Sequence, residues 1–496
     1  MTAPPKGTDS NNVSSKPVKP PPPSSHGKKG TSRKSIPPAT GDFALPPPKP
    51  VYFEQDGLRK VKPYMFTFHS WAKERWQGRT LIDIYSEFRD RTQKYYEWAI
   101  ETGIIVVNNK KASPDQIIQN GDLISNVSHR HEPPVVAGPV KIIYDGRLPG
   151  NDGKTLVVEK PGSMPIHPTG RYNFNTLLEI LKYDYDLPMV HTSNRLDRLT
   201  SGVMICSLTV EASKELGAWF GGQRETGVKK EYVARCIGEF PRETITCEEP
   251  LLTLDRQVGV NVVHPDGRES KTIFERMSYD AESNTSVVLC RPITGRTHQI
   301  RVHLQYLGHP IANDPIYQNA AAWGESGGKG GVYSATDAAE ARRLRGEAFM
   351  EAEKERNGGH ADVKPGEEGI DRKQHDLSLT RGAERAIRAL RGVRDEVDGW
   401  ARDRDVEALE LARKHQIERG TTDGGETTLA AGETADEEGG GFCRKCFTPL
   451  IPDPRPEQLF IWLHAMRYTT TDWDWKSALP YWAEPSYKVP MSSILS

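Results

Sequence analysis

Between Val140 and Asn319 the chain is a succession of short apolar runs separated by turn residues, and this pattern leaves few architectures open. Thr155–Val158, Gly202–Cys206, Glu231–Ile237 and Ser286–Cys290 each have the length of one strand and end where a turn can begin. Helical spacing interrupts them at Asn175–Leu181 and again near Glu211–Phe220. Strands that follow one another through turns, with only occasional helices, predict an α+β fold on a mixed, mainly antiparallel sheet.

The flanks differ in composition and set the expected domain limits. Only 36% of the 496 residues are apolar, which is low for one packed globule. Residues 1–50 hold the proline runs Pro20–Pro23 and Pro46–Pro48 and a net charge of +6, and are expected to be a disordered, solvated basic tail. Residues 51–135 are expected to form a small domain. It has helical spacing over 80–102, a stop at Gly103, a strand Ile104–Val107 and turns at Asn108-Asn109 and Gly121-Asp122. Residues 140–319 carry the strand pattern, 320–442 read as a charged insertion, and 443–496, with Trp462, Trp473, Trp475 and Trp482, as the completion of the core. Within the insertion Ile387, Leu390, Val393, Val397 and Trp400 predict an amphipathic helix over 379–417. Its stripe docks on the protein's own surface in the simpler reading, or on a protein partner in the other.

Charge and cysteine usage narrow the class further. The overall net charge of -1 conceals a net of -8 over 319–442, so the sum neither supports nor excludes nucleic-acid binding. No apolar run is long enough to span a membrane, and the N-terminus lacks the apolar core of a secretory signal and is too rich in proline for a transit peptide. Cys206, Cys236, Cys247 and Cys290 stand singly, which predicts an intracellular thiol protein. The expected location is the cytoplasm, with nucleus and mitochondrion left open. Cys443-Arg444-Lys445-Cys446 has the spacing of half a zinc site, but no second pair follows, His464 is the one histidine offered as a further ligand, and no metal is assigned.

Three segments carry chemistry. In Asn194-Arg195-Leu196-Asp197-Arg198-Leu199-Thr200-Ser201-Gly202 a carboxylate lies between arginines and just ahead of an apolar strand, which predicts a fixed, inward-facing site. In Lys229-Lys230-Glu231-Tyr232-Val233-Ala234 strand alternation puts Lys230, Tyr232 and Ala234 on one face. In Thr294-Gly295-Arg296-Thr297-His298-Gln299-Ile300-Arg301-Val302-His303-Leu304 a glycine turn leads into an amphipathic helix marked by Ile300, Leu304 and Leu307. Its two histidines have no carboxylate or cysteine at ligand spacing, so a metal there is not expected.

Together these segments resemble the RluA family of pseudouridine synthases, whose pattern is Arg-Leu-Asp-x-x-Thr-Ser-Gly, Lys-x-Tyr-x-Ala and Gly-Arg-x-His-Gln-Ile-Arg-x-His. Glu159-Lys160-Pro161-Gly162, His309-Pro310-Ile311 with Asp314-Pro315, and Leu463-His464-Ala465 are similar to flanking elements of the family. The resemblance implies the pseudouridine synthase sheet, and the order of elements in 51–135 resembles the small alpha-L RNA-binding fold of ribosomal proteins. It further implies that Asp197 is the catalytic carboxylate, Arg296 its ion-pair partner, and Tyr232 the residue that stacks on the uracil and assists loss of the C5 proton. Arg195, Lys230 and Leu304 are the expected substrate-side residues. The isomerisation transfers no electrons, so no cofactor is expected. Whether the carboxylate attacks C1′ or removes the 2′ proton stays open.

Asn194, where bacterial members carry His, and His129-Arg130-His131-Glu132-Pro133-Pro134-Val135 are similar to the eukaryotic tRNA enzymes. The resemblance therefore implies a tRNA substrate, at position 32 of the anticodon loop, rather than DNA. Loops present unstacked bases, so a base reaches a buried carboxylate most easily from there. The same chemistry on rRNA or mRNA, or an RNA-binding protein that has lost catalysis, are the alternatives. The second predicts a damaged site, whereas Asp197, Tyr232 and Arg296 are all present.

Overall fold

A computed structural model of the chain describes residues 49–88, 91–221, 227–255, 259–332, 382–391, 443, 450 and 452–490. The basic tail of residues 1–48 and most of the insertion lie outside the described residues. The larger part of the described chain is built on a ten-stranded sheet. Its main path runs Ile245–Cys247, Thr272–Asp280, Thr285–Pro292, Lys229–Ile237, Leu463–Thr469, Ser201–Ser207, Thr155–Lys160 and Lys141–Asp145. Every neighbouring pair on the path is antiparallel except Ser201–Ser207 with Leu463–Thr469, which is parallel. The fold is thus α+β on a mainly antiparallel sheet.

The middle of the sheet comes from a strand that follows the insertion, Leu463–Thr469. Gly202 makes its close approach possible. It sits at φ +119°, and a Cβ there would lie 2.5 Å from the backbone N and 2.8 Å from the backbone C of Ala465. Only glycine accepts both that φ and that contact. On one side of this seam Val157, Val203, Ile205 and Leu181 form one core cluster; on the other Val233, Val288, Leu304 and Trp462 form a second.

The helix of the third motif has no exposed polar face, as the amphipathic helix its spacing suggests would have. Residues 294–298 are a turn, His298 takes the left-handed φ of 58°, and the helix is Gln299–Tyr306, buried around its whole circumference over Gln299–Gln305. Its polar side chains are buried because each anchors a neighbouring element. Gln299 donates to Lys271 O and to Thr272 Oγ1, and Gln305 donates to Tyr317 O. His303 holds Thr272 Oγ1 through Nδ1 and Ser270 Oγ and Glu249 O through Nε2, so both of its nitrogens are occupied.

The N-terminal part of the described chain has a four-stranded sheet in the order Tyr64–Trp71, Leu123–Arg130, Ile105–Val107, Lys110–Lys111. Two helices pack on it, Leu81–Tyr85 and Gln93–Glu101, which divide the helical spacing of 80–102 between them. The break has a local cause: Thr92 caps a new helix by accepting the Tyr95 N–H, as Thr80 does for Asp83. Asn108 and Asn109 both take positive φ and close the tight hairpin. Of the insertion, the helical residues 382–391 bury Ala383, Ala386 and Leu390 against Tyr317 and Trp323, and Arg391 pairs with the buried Asp255 at 2.5 Å. The described part of that helix is therefore docked on its own chain; Val393, Val397 and Trp400 lie outside the described residues.

Candidate active site

Asp197 lies in the turn that feeds the strand Ser201–Ser207, where the Thr200 N–H donates to the Asp197 carbonyl at 3.1 Å. Leu196 is buried and pins the turn to the core, while the Asp197 side chain keeps 24% of its surface exposed toward a cavity. Beneath the turn Lys160 is fully buried. Its ammonium donates to Pro161 O, Met164 O and Arg198 O at 2.8, 3.0 and 3.3 Å, tying the end of the neighbouring strand to the residue after Asp197. Burial pulls the Lys160 pKa down to about 7, against the upward pull of Asp197.

The cation that faces Asp197 is Arg301, not Arg296. Arg301 Nη1 lies 3.4 Å from Asp197 Oδ2. The rest of its guanidinium forms a two-pronged pair with fully buried Asp314, Nε to Oδ2 at 2.6 Å and Nη2 to Oδ1 at 2.9 Å. Asp314 Oδ1 also accepts the Ile316 and Tyr317 N–H groups. Burial opposes both charges, yet Arg301 holds the Asp314 carboxyl below its ordinary range and Asp314 holds the Arg301 guanidinium above its own. Arg296, at the exposed turn before the helix, instead donates from Nε to Glu269 O at 2.9 Å. The expected Arg296–Asp197 ion pair is thus replaced by an Arg301–Asp197 pair. The reason is position: Arg301 projects from the buried helix toward the Asp197 turn, whereas Arg296 precedes that helix.

His298 is the second group on Asp197, with Nε2 3.6 Å from Oδ2. Tyr317 Oη accepts the Asn261 N–H at 3.0 Å, which leaves its proton for His298 Nδ1 at 2.9 Å and the imidazole proton on Nε2, facing the carboxylate. Burial, then the Arg301 cation, lowers the His298 pKa to about 4 although Asp197 pulls it up, so the ring is neutral at physiological pH. It directs an N–H dipole at Asp197 rather than a charge.

These groups open into a cavity of about 560 Å³. Asp197 is the one carboxylate among the described lining residues, against Arg195, Lys230, Arg296 and Arg301. Tyr232 lines the cavity and its Oη bonds to Tyr468 Oη at 2.7 Å. Burial pushes the Tyr232 phenol up to about 12, so it is a neutral hydroxyl with an aromatic face. Burial lowers the pKa of Lys230, whose Nζ lies 5.6 Å over the Phe220 ring. Arg195 is exposed at the rim. Leu304 is fully buried in the core behind the helix and is not among the lining residues. Asp197, Tyr232, Arg296, Arg195 and Lys230 are thus brought to one cavity; Leu304 is not.

Local sequence does not single out Arg301 and His298 as partners of Asp197, or Asp314 as the anchor of Arg301. A signal was available: an arginine directly after Ile300 in a helix meant for the core needs a buried acid, and Asp314-Pro315 follows shortly after.

Comparison with known proteins is consistent with this geometry. Residues 154–306 match the pattern described as RNA pseudouridylate synthase. The chain is 38% identical over 441 residues to pseudouridylate synthase RPUSD2 of Mus musculus, spanning 88% of this chain and 74% of that protein. It is 46% identical over 279 residues to the mitochondrial tRNA pseudouridine(32) synthase of Saccharomyces cerevisiae, spanning 55% of this chain and 58% of that one. It is 28% identical over 471 residues to the tRNA pseudouridine(31) synthase of the same yeast, spanning 87% and 97%.

Proposed function

The chain belongs to the RNA pseudouridylate synthase family and is an isomerase of that class, and from this premise we propose that it converts uridine 32 of the tRNA anticodon loop to pseudouridine, with Asp197 as the catalytic carboxylate. The observation that carries the proposal is Asp197 itself: the one carboxylate among the described lining residues, held by Arg301, in a cavity whose other charged lining residues are Arg195, Lys230, Arg296 and Arg301. Its volume is that of a pocket for one flipped nucleotide. The cations suit the phosphates on either side of that nucleotide.

The chemistry follows from the geometry. The uracil leaves C1′ as N1 gives up the glycosidic bond, turns within the pocket and rejoins through C5; C5 then loses its proton and N1 gains one, so the composition is unchanged. Arg301 and the His298 N–H orient the Asp197 carboxylate toward the sugar. Tyr232 offers its ring to the detached base; as a neutral phenol it stacks and hydrogen-bonds rather than acting as a strong base. Arg195, Lys230 and Arg296, which line the cavity, are the groups this reading assigns to the phosphates. No step calls for a cofactor. Position 32 rests on the higher identity to the yeast enzyme of that name than to the position-31 enzyme. That relative is named mitochondrial, which makes the mitochondrion a second proposed location beside the cytoplasm. No helix among the described residues is long and apolar enough to cross a membrane. Ala383, Ala386 and Leu390 are already covered by this chain, so a protein partner for 379–417 would have to use other residues.

The test is Asp197→Asn, with pseudouridine mapped across tRNA in cells that have this chain as their only candidate enzyme. Loss of pseudouridine 32 with retained tRNA binding is the expected result. Persistence of the modification in D197N cells overturns the assignment.

A further inference from the structure

His129 and His131 bracket the end of the strand Leu123–Arg130, where period-two alternation turns both rings to one face. Their ring centroids are 4.9 Å apart at 90°. Arg130, between them, points the other way: its guanidinium lies over Phe66 and Phe68 and donates to Gly170 O and Arg171 O. The charge that would repel a metal is therefore directed away from the histidine face. Across from the two rings stands Cys443, fully buried, with Sγ 3.5 Å from His129 Nδ1. One ligand atom from each of the three residues lies within 4.8 Å of the others.

We propose that His129, His131 and Cys443 bind a zinc ion that staples the N-terminal domain to the segment returning from the 320–442 insertion. The donor set selects the metal: one thiolate with two imidazoles suits zinc and not calcium or magnesium, which demand oxygen. The neighbouring carboxylate does not join. Glu132 is committed to the Asn173, Phe174 and Asn175 N–H groups and to Tyr64 Oη. Zinc bonds of ~2.3 Å to sulfur and ~2.05 Å to nitrogen in a tetrahedron put those two atoms about 3.6 Å apart. The Cys443–His129 separation of 3.5 Å already has that value.

The other described cysteines offer no such surroundings. Cys206, Cys236, Cys247 and Cys290 lie in the apolar core, and burial raises each thiol well above its ordinary pKa. His464, the partner suggested by spacing, is engaged elsewhere, with Nδ1 on Ser201 Oγ at 2.9 Å and Nε2 on Ser477 Oγ at 2.7 Å. The histidines that meet Cys443 come instead from more than three hundred positions earlier in the chain. Cys446, at chelating spacing in the sequence, lies outside the described residues, and the proposal stands on the three residues named.

The location explains what a metal would add. The chain leaves the core near Trp323, crosses the insertion, and must come back in register to supply the middle strand Leu463–Thr469. Cys443 is the first described residue after the insertion. Lys60 pairs with Asp453 in the same returning segment. A zinc at Cys443 fixes the point from which that strand is laid down.

The test measures metal in the purified full-length chain, stripped with a chelator and resupplied with zinc alone. The expected result is about one zinc per chain, lost in Cys443→Ser and in the double variant His129→Ala/His131→Ala and kept in the exposed control His167→Ala. Because a variant can fail to fold, the unaltered chain is also loaded with cobalt. A thiolate-to-cobalt charge-transfer band together with tetrahedral ligand-field absorption is expected. Absence of stoichiometric zinc in the resupplied wild-type chain, a cobalt spectrum without the thiolate band, or full zinc retention in C443S each overturns the proposal.

Discussion

Replacing Arg301 by Lys separates its two carboxylates, because an ammonium cannot serve both as the guanidinium does. Asp314 is fully buried, and leaving it unpaired would cost about 3–5 kcal/mol. Asp197 keeps 24% of its side chain exposed and can recruit water, so in R301K the substituted lysine pairs with Asp314 and Asp197 loses its cation. At 3.4 Å the attraction forfeited is about 5 kcal/mol for an effective dielectric of ~20. Solvent at the cavity reduces this to roughly half, and ~2.5 kcal/mol of lost orientation in the transition state is a fall of about 70-fold in kcat. KM should change little, because Arg195, Lys230 and Arg296 still line the cavity. The assay is tritium release from tRNA labelled at uracil C5, since isomerisation replaces that C–H bond by the glycosidic bond. Arg296→Ala provides the contrast: its exposed guanidinium bonds to Glu269 O, so KM should rise while kcat is largely kept. A kcat for R301K within about threefold of wild type, or an R296A variant as inactive as D197N, refutes the reasoning.

Gly202→Ala should cost about 2–6 kcal/mol, from positive-φ strain plus the clash with Ala465, whereas Gly150→Ala, at φ +86° with nothing within 4 Å of the added Cβ, isolates the strain alone. Equal losses for the two in denaturant titrations would show that the approach of the strand Leu463–Thr469 is not what selects glycine. Lys160→Met strips three carbonyls of their donor and should lose about 3 kcal/mol of stability, with a fall in kcat because Arg198 O neighbours Asp197. Unchanged melting and turnover in K160M would remove Lys160 as the support of that turn. Burial lowers the His464 pKa from 6.5 to about 4, so between those values the unfolded chain binds more protons than the folded one. Stability should therefore fall as pH drops through that window, by ~3 kcal/mol below it, and His464→Gln should remove this part of the acid limb. An acid limb identical in H464Q and wild type rules the linkage out.

Much of this protein is local in origin and could be read from the chain. Strand alternation and turn residues determined the α+β class, because a period of two and a turn are properties of adjacent residues. The Arg-Leu-Asp and Lys-x-Tyr segments marked Asp197 and Tyr232, which the structure brings to one cavity. What the sequence left undecided depends on contacts between distant positions. The arginine opposite Asp197 was settled by the burial of the helix Gln299–Tyr306, which turns Arg301 inward and leaves Arg296 at its exposed approach. Leu304 went to the core for the same reason. His464 was drawn away from Cys443 by Ser201 and Ser477, and His129 and His131 were brought to it by the pairing of the strand Leu123–Arg130 in the N-terminal sheet. In each case residue type set what a side chain could do, and tertiary packing alone decided which partner it met.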